Sequence, residues 1–409
     1  MALTVQQILQ AHFDDFAQQQ PLSSDMHRAA RRMRDCRTAA LGSHVIRCPR
    51  GCTQRESHNS CRHRACPQCA SLPREQWLAK WKERLLGCPH FHAVFTTPHD
   101  LLPLWRFNKA LFASLLFQAA TSALRQLLDD ERYLGAAIGM LAALHTWSQT
   151  LAEHVHLHVL VTAGGLTADG TWRAAKKSCL LPRQVLMRVF RGKLRALLLQ
   201  ALSRGELQLP PNMSESQARS LLNKVGRLTW NVKILERYDH GAGVATYLAR
   251  YLKGGPIGNG RLVALRDGRV FFRCRVSSSG GEARGRREVI SLSVEEFQRR
   301  LLEHVPPKGF HTVRGYGLYA SNRHARLPQA RAALGQAPLS DVSPVADWQT
   351  LCCRAGRESA AHCPVCGARL ECVLVVGADG HERSAGRRSL GSCSLESGGR
   401  SSRAPPVAL

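Results

Sequence analysis

The chain has 409 residues, which is enough for two or three domains with at least one sizeable hydrophobic core. Its hydrophobic fraction of 44% excludes a disordered protein. Lysine and arginine number 57 against 30 aspartate and glutamate residues, and the resulting charge of +27 is spread along the chain. A polyanion is therefore the expected partner, and nucleic acid is the leading candidate.

A basic membrane-surface protein is the competing class. The sequence has no amphipathic segment with a polybasic flank and no secretory signal at its N-terminus. Its longest uncharged window, residues 133–152, contains glycine, histidine, serine, threonine and glutamine, which is typical of a buried core segment. We therefore expect a cytoplasmic protein without a membrane partner, associated with the nucleoid when it is bound to DNA.

Helical spacing dominates the N-terminal region. Apolar residues between Val5 and Phe16 recur on one face and predict a short docking helix. The basic run at 27–37 predicts a solvated helical face, and a phosphate-contacting surface is the alternative interpretation.

Cysteines then crowd together as CPRGC at 48–52 and CRHRACPQC at 61–69, and the chain has fifteen in all. Without a signal peptide they point to metal ligands more than to disulfides. Two close pairs have the spacing of a four-thiolate zinc site, with ligands Cys48, Cys52, Cys66 and Cys69. Cys61 is the alternative ligand, and His44 and His63 are nearby spare donors. Such a zinc-binding segment folds only with its metal.

The central region interleaves strands and helices without the glycine-rich turns of a dinucleotide fold. Alternation predicts strands at 91–97, 138–147, 154–161 and 228–236. Helical periodicity predicts helices at 105–128, 183–203 and 243–252. An Asp267-Gly268 turn predicts a hairpin over 262–276. This order favours an antiparallel α+β domain.

The strand at 154–161 alternates histidine with valine or leucine, so one face is apolar and the other is imidazole. His156 and His158 project side by side roughly 7 Å apart, a spacing at which two ring nitrogens can converge on one cation. His154 precedes them on the same face. Surface histidines on an ordinary strand are the competing interpretation.

Tyr247 and Tyr251 stand four residues apart on a predicted helix, so both phenols lie on one face. Alone, such a pair is typical of core packing. Beside a cation held by two histidines, it is suited to attack on a phosphodiester, because the metal polarises the phosphate while a phenolate adds to phosphorus. Two tyrosines allow two successive strand cleavages.

The C-terminal third is basic. A capped helix is predicted at 293–305 after a linker at 277–287, and the tyrosines interleaved with basic residues at 315–326 suit either base stacking or surface packing. CPVCG at 363–367 resembles half of a second zinc knuckle, with Cys352 and Cys353 as candidate partners. Serine, glycine and arginine bias predicts a disordered tail from Ser384.

The motifs occur in a specific order: CPRGC and NSCRHRACPQC, LHTWSQTLAEHVHLHVLVTAGG, YLARYLKGGPI and RGYGLYAS. In this order, over roughly 41–334, the chain resembles the two-tyrosine rolling-circle transposases of the insertion sequence 91 family, which are HUH nucleases. The resemblance implies a nuclease and strand transferase that acts on single-stranded DNA at transposon ends. It also implies a 5′-phosphotyrosine intermediate.

Carried onto this chain, the resemblance implies a Mg²⁺ or Mn²⁺ site at His156 and His158, with Gln149 as the candidate third ligand. The nucleophiles would be Tyr247 and Tyr251, and the cysteines would hold structural Zn²⁺. Two features depart from the family: CPRGC has three residues between its cysteines where two are expected, and Ala65 stands where histidine is frequent.

The implied fold class is α+β, an HUH-type nuclease domain with a central antiparallel sheet flanked by helices. We place an N-terminal helix and zinc-binding domain at 1–90 and the nuclease domain at 91–277. A basic extension follows at 278–345, and the possible second zinc knuckle and the tail at 346–409. Two other functions stay open, a non-catalytic zinc-dependent protein that binds DNA ends and a zinc-dependent hydrolase built on the histidines. The hydrolase lacks a further downstream histidine or aspartate motif. No oligomeric state is predicted.

Overall fold

The computed structural model describes residues 2–175, 180–239, 241–249, 254–275, 287–321, 326–339, 348–354, 356 and 358–384. The chain forms two compact units: a larger one of Met1–Cys36 and Ser60–Ser343, and a smaller one of Arg37–Asn59 and Pro344–Leu409. The units differ from the consecutive domains expected from sequence. Residues 37–59 belong to the same unit as the C-terminal segment and not to the unit of the rest of the N-terminal region.

The described helices have these bounds: α1 (Val5–Gln19), α2 (Ser24–Arg34), α3 (Ser71–Arg84), α4 (Leu102–Phe107), α5 (Lys109–Leu128), α6 (Arg183–Ser203), α7 (Glu215–Val225), α8 (Gly241–Ala249), α9 (Val294–Glu303), α10 (Arg326–Ala333), α11 (Trp348–Arg354) and α12 (Glu358–Ala361). Short 3₁₀ turns are at Ala39–Leu41, His99–Leu101 and Asn259–Arg261.

The described strands have these bounds: β1 (Ser43–Arg47), β2 (Gln54–His58), β3 (His90–Thr96), β4 (Gly139–Trp147), β5 (Glu153–Thr162), β6 (Gly164–Leu166), β7 (Trp172–Ala174), β8 (Val232–Tyr238), β9 (Leu262–Arg266), β10 (Arg269–Arg275), β11 (Arg287–Ser293), β12 (Val313–Gly317), β13 (Glu371–Val376) and β14 (Glu382–Ser384).

A central antiparallel sheet organises the larger unit. Within the described ranges its strand order is β12-β4-β5-β3-β8. The apolar residues of β5 face a core built with α5 and α6, and this core includes Leu157, Phe117 and Phe190. The opposite face carries the histidines and Leu160, and packs against residues from α3, α8 and α10. Helices therefore flank the sheet on both faces, which confirms the predicted α+β class.

Helix α5 is, among the described residues, a helix long and apolar enough to cross a membrane by length and composition. However, 61% of its most apolar window is buried inside the protein, where the helix packs on α6 and on the central sheet. A buried apolar helix is expected in a large α+β domain, because α6 and the central sheet cover the apolar side chains of α5.

A second sheet has the order β11-β10-β9 in the part of the chain described. Asp267 and Gly268 have φ of 51° and 65°, as a two-residue hairpin turn with left-handed central residues requires. The predicted hairpin is therefore confirmed. Ser293 caps α9 by accepting a hydrogen bond from the Glu296 N–H, and α9 packs on α1.

The smaller unit has a sheet of order β14-β13-β1-β2, again for the residues described. Strand β1 pairs with both β2 and β13, so the N-terminal excursion and the C-terminal segment share one sheet. Its buried apolar cluster contains Ile46, Cys48, Cys363 and Leu370. Half of these buried residues are cysteines.

The structure corrects the base-stacking interpretation at Tyr319. Its side chain is 1% exposed, its hydroxyl accepts a hydrogen bond from the Leu86 N–H, and it shares a second one with His90 Nε2 at 2.7 Å. Trp81 packs edge-on against the ring. Tyr319 is thus a core residue, because its polar atom has partners inside the protein. Residues 322–325 of the same predicted surface lie outside the described ranges, as do 276–286 of the linker region and the tail from 385.

Candidate functional site

Three histidines converge on one face of the central sheet. Strands β4 and β5 pair antiparallel with His145 opposite His156, and His158 follows two residues later on the same face. One ring nitrogen from each histidine lies within 4.8 Å of those of the other two. The ring centroids of His145 and His158 are 4.1 Å apart, and that of His156 is 4.9 Å from each. The sheet thus presents three imidazoles to one point.

Hydrogen bonds orient two of these rings. His156 Nδ1 lies 2.7 Å from the His154 carbonyl oxygen, which can only accept, so Nδ1 carries the proton and Nε2 keeps its lone pair. His158 Nδ1 shares a 2.7 Å hydrogen bond with Nε2 of His92 on the neighbouring strand β3. Partners of this kind fix the tautomer and the ring direction of metal-binding histidines.

Burial keeps the three imidazoles neutral. It lowers the pKa of His156 to about 4 and that of His158 to about 2, and the neighbouring His156 contributes to the shift at His158. The pKa of His145 is also well below its ordinary value, mainly because the ring is buried and secondly because His158 is close. Neutral imidazole is the form that binds metal ions, so the donor set fits a divalent cation. Three nitrogen donors favour a transition metal over Mg²⁺, which prefers oxygen ligands.

His154 lies outside this group of histidines. Gln149 is exposed in the turn between β4 and β5, where its carbonyl oxygen accepts hydrogen bonds from Arg261 and from the Cys274 thiol. His154 is half-buried, with its ring 5.6 Å from that of His99. The third histidine of the group, His145, was missed by sequence reasoning, because only the β4–β5 register reveals it.

Helix α8, which carries Tyr247, packs on the histidine face of the sheet. It contacts β5 and α3, and Ala245 belongs to the same buried cluster as Leu160 of β5. A Cβ atom at Gly241 would lie 2.9 Å from His90 Nδ1, so the helix begins in close contact with β3. The side chain of Tyr247 and the whole of Tyr251 lie outside the described residues.

Eight of the described cysteines form two groups of four, and the division differs from the predicted one. Cys36, Cys61, Cys66 and Cys69 form the first group, and Cys48, Cys52, Cys363 and Cys366 form the second. The prediction of one site from Cys48, Cys52, Cys66 and Cys69 is therefore corrected. The alternative ligand Cys61 belongs to the first group. Cys36 was missed because nothing near it in the sequence marks it as half of a pair.

Distances in the first group suit a tetrahedral zinc site. The Sγ atoms of Cys61 and Cys69 are 3.4 Å apart, and those of Cys36 and Cys66 are 3.7 Å apart. A Zn–S bond of about 2.3 Å places tetrahedral sulfur atoms about 3.8 Å from each other, whereas a disulfide would need about 2.05 Å. Hydrogen bonds from neighbouring thiols lower the pKa of Cys36, while those around Cys61 raise the pKa of its thiol.

A small cavity of the larger unit has Trp105, Trp147 and Phe310 among its lining residues, together with Arg64, Lys109 and Glu303. Trp147 connects this lining with the histidine group, because its ring stacks on that of His145, with centroids 5.9 Å apart and planes 5° apart.

Comparisons with known proteins agree with this arrangement. Residues 139–326 match the family described as "Putative transposase" (Y2_Tnp), and residues 8–97 match the "Transposase zinc-binding domain". The chain is 39% identical over 325 residues to "Putative transposase y4qJ" of Sinorhizobium fredii, covering 78% of this chain and 81% of that protein. It is 32% identical over 289 residues to "Transposase for insertion sequence element IS801" of Pseudomonas savastanoi pv. phaseolicola, covering 68% of this chain and 66% of that protein.

The fold, the sites and these matches define a DNA-processing enzyme of the transposase class, with a zinc-binding domain in its N-terminal part. The chain belongs to the insertion sequence 91 family of transposases.

Proposed function

We propose that this transposase nicks and rejoins single-stranded DNA at insertion-sequence ends through a 5′-phosphotyrosine intermediate, for rolling-circle transposition. The observation that carries the proposal is the convergence of His145, His156 and His158 on the sheet face that α8 covers. Three neutral imidazoles beside a tyrosine-bearing helix form the donor set and the nucleophile that phosphodiester attack requires.

The dimensions of α8 support the placement of its tyrosines. The helix begins beside His90, which pairs with Thr162 of β5, and Ala245 packs in the cluster of Leu160. Four helical residues advance about 6 Å, close to the advance of two strand residues. The backbone of Tyr247 belongs to the following turn of α8, and we propose that its phenol, and that of Tyr251 in the next part of the chain, act at the histidine group.

The chemistry is a transesterification. A tyrosine Oη attacks the phosphorus of the scissile phosphodiester, the bond from phosphorus to the 3′ oxygen breaks, and the departing oxygen takes up a proton as a 3′-hydroxyl. A strand with a free 3′-hydroxyl then displaces the tyrosine in the reverse step. Two tyrosines allow two such exchanges without release. A divalent cation at the histidines, Mg²⁺ or Mn²⁺, would polarise the phosphate oxygens, and the nitrogen donors favour Mn²⁺.

In this proposal His145 takes the role that the resemblance implies for Gln149, and His154 acts through its carbonyl oxygen by orienting His156. Trp147, half-buried and stacked on His145, is the proposed face for stacking a base of single-stranded DNA. The reaction takes place in the cytoplasm, on the nucleoid when the protein is bound to DNA.

The first cysteine group is the proposed structural zinc site of the zinc-binding domain. Cys36 lies two residues after α2, and the other three ligands lie in the loop before α3. Zinc there would fix the loop that carries Arg64, which donates hydrogen bonds to Phe310 and Thr312. The proposed zinc would thus hold Arg64 and its hydrogen bonds to the segment before β12 in place.

The test incubates the full-length protein with labelled single-stranded DNA from the element's ends and Mn²⁺. We expect a protein–DNA adduct that survives denaturation, and its loss in His156→Ala. The control is His99→Ala, which changes a histidine of the 3₁₀ turn after β3, outside the ligand group. DNA protection without any adduct would favour the non-catalytic end-binding protein. Hydrolysis of a small substrate without DNA would favour the zinc hydrolase.

A further inference from the structure

The smaller unit contains a second group of four cysteines whose two halves are far apart in sequence. Cys48 and Cys52 come from the turn between β1 and β2, and Cys363 and Cys366 come from the turn before β13. Cys48 and Cys366 are 318 positions apart in the chain, yet their Sγ atoms are 3.5 Å apart. All four Sγ atoms lie within 4.8 Å of one another.

The two turns share one backbone design. Each begins with Cys-Pro, and the N–H of the first cysteine donates to the carbonyl five residues later, that of Thr53 or Ala368. Each contains a glycine at positive φ, 76° at Gly51 and 68° at Gly367, where a side chain would be strained. This repetition marks the two turns as matching knuckles with spacings inside the range for zinc.

Backbone N–H groups point at the sulfur atoms in both turns. Arg50 and Cys52 donate to Cys48 Sγ, and Cys366 and Val365 donate to Cys363 Sγ. Backbone N–H groups directed at sulfur are suited to a cysteine that binds a metal as thiolate.

The apolar cluster around the four cysteines is small. Among the described residues it has four buried members, of which two are the cysteines Cys48 and Cys363, and Cys366 packs at its margin. Cys52 is exposed. A metal at this point would add stability that so small a cluster does not supply. The S–S separation of 3.5 Å suits metal ligands and is too long for a disulfide.

We propose that Cys48, Cys52, Cys363 and Cys366 bind a second structural Zn²⁺ ion that closes residues 37–59 onto the C-terminal segment. The partners foreseen for Cys363, namely Cys352 and Cys353, lie on α11 outside the group. Zinc is favoured because four thiolates select it and because it has no redox chemistry of its own. The proposal is independent of the nuclease chemistry.

The first test uses the unmodified full-length protein. Native protein is treated with N-ethylmaleimide before and after a zinc chelator, and the modified cysteines are mapped by mass spectrometry. We expect exposed Cys52 to be protected until the chelator is added, together with Cys48, Cys363 and Cys366. Rapid modification of Cys52 without chelator overturns the proposal. Release of the protection by a reductant, and not by the chelator, also overturns it.

The second test compares the zinc content of variants by elemental mass spectrometry. The double change Cys363→Ser with Cys366→Ser should lose one zinc per chain relative to the wild type. The matched control, Cys352→Ser with Cys353→Ser, should keep the full content. Equal zinc in the wild type and the first variant contradicts the proposal, as does a loss confined to the control. The histidine site is unchanged in every variant, so any zinc bound there adds equally to the content of the wild type and of each variant.

Discussion

His145 and His156 face each other across the β4–β5 hairpin, in register and with ring centroids 4.9 Å apart. This pairing adds a third imidazole to the two that the sequence motif predicts. It also moves the proposed third ligand from the exposed turn, where Gln149 lies, into the buried sheet.

The change His145→Ala should therefore weaken Mn²⁺ binding by at least about 100-fold, because loss of a ligand exceeds the 10–100-fold typical of losing its outer partners. Adduct formation should fall with it. Gln149→Ala is the matched control and should leave both unchanged. Isothermal titration with Mn²⁺ measures the metal affinity of each variant. If Gln149→Ala lost more affinity than His145→Ala, Gln149 would be the third ligand after all.

His92 is proposed as a positioning residue for His158, through the 2.7 Å hydrogen bond between their rings. His92→Ala should reduce metal affinity by roughly 10–100-fold while leaving the ligand set intact. His92→Gln, which offers a hydrogen-bonding amide of similar reach, should recover part of the loss. The measurement is the Mn²⁺ dissociation constant of each variant. A purely structural role would instead lower the free energy of unfolding with unchanged metal affinity in the folded protein.

Salt dependence tests the DNA-binding role of the positive charge. An excess of +27 implies many phosphate contacts, and each contributes a slope of about 0.7 on single strands in a plot of log affinity against log salt. Affinity should thus fall steeply between low and high salt, and single strands should be preferred over intact duplex. Fluorescence anisotropy with matched single-stranded and duplex probes measures both. A flat salt response would argue against phosphate contacts as the main source of affinity.

Helix α9 provides a pH-dependent contribution to stability. The pKa of Glu296 is lowered from 4.5 to about 2, chiefly by the hydrogen bond from Arg299; burial opposes this shift, and the hydrogen bond from Arg300 adds to it. A carboxylate whose pKa is lowered on folding stabilises the folded state at pH values above its pKa in the unfolded chain. This stabilisation is lost as the pH falls through its pKa in the folded protein. The contribution is therefore present at pH 7 and disappears between about 4.5 and about 2.

The variant Glu296→Gln should accordingly be less stable than the wild type at pH 7, and the difference should shrink as the pH approaches 2. Urea unfolding at pH 7 and at pH 3 measures it. The control is Glu295→Gln at the neighbouring position, whose carboxylate accepts a hydrogen bond from Gln20. If the difference in free energy of unfolding between Glu296→Gln and the wild type stays constant with pH, the ion pairs of Glu296 are not its cause.

Periodicity and turn chemistry made much of the fold predictable. Helix α6 spans the predicted 183–203, since its apolar stripe continues without interruption. The Asp267-Gly268 hairpin follows from residues that tolerate positive φ. The predicted helix at 105–128 is broken at Asn108, whose side chain bonds to the backbone of Leu104 and Gln208. Such side-chain bonds compete with the helix in a way that periodicity does not reveal.

The site was less predictable, because its members meet through tertiary pairing. The turn before β5 contains Leu151 at φ of 64°, and the β4–β5 register shifts between His145 and Trp147. The residues of the turn give no sequence signal for either feature. The sequence therefore did not predict that His145 of β4 pairs with His156. The cysteine groups depend in the same way on Cys36 and on the distant Cys363 pair.

Tyr247 and Tyr251 are the proposed nucleophiles of the transposition reaction. The most direct measurement is mass spectrometry of the protein trapped on single-stranded terminal DNA with Mn²⁺, using the wild type, Tyr247→Phe, Tyr251→Phe and the double variant. The account predicts a DNA-derived phosphate on Tyr247 or Tyr251 in the wild type, adducts at the surviving tyrosine in each single variant, and none in the double variant, which should keep its zinc and its DNA affinity. An adduct on any other residue, or one that persists in the double variant, would contradict it.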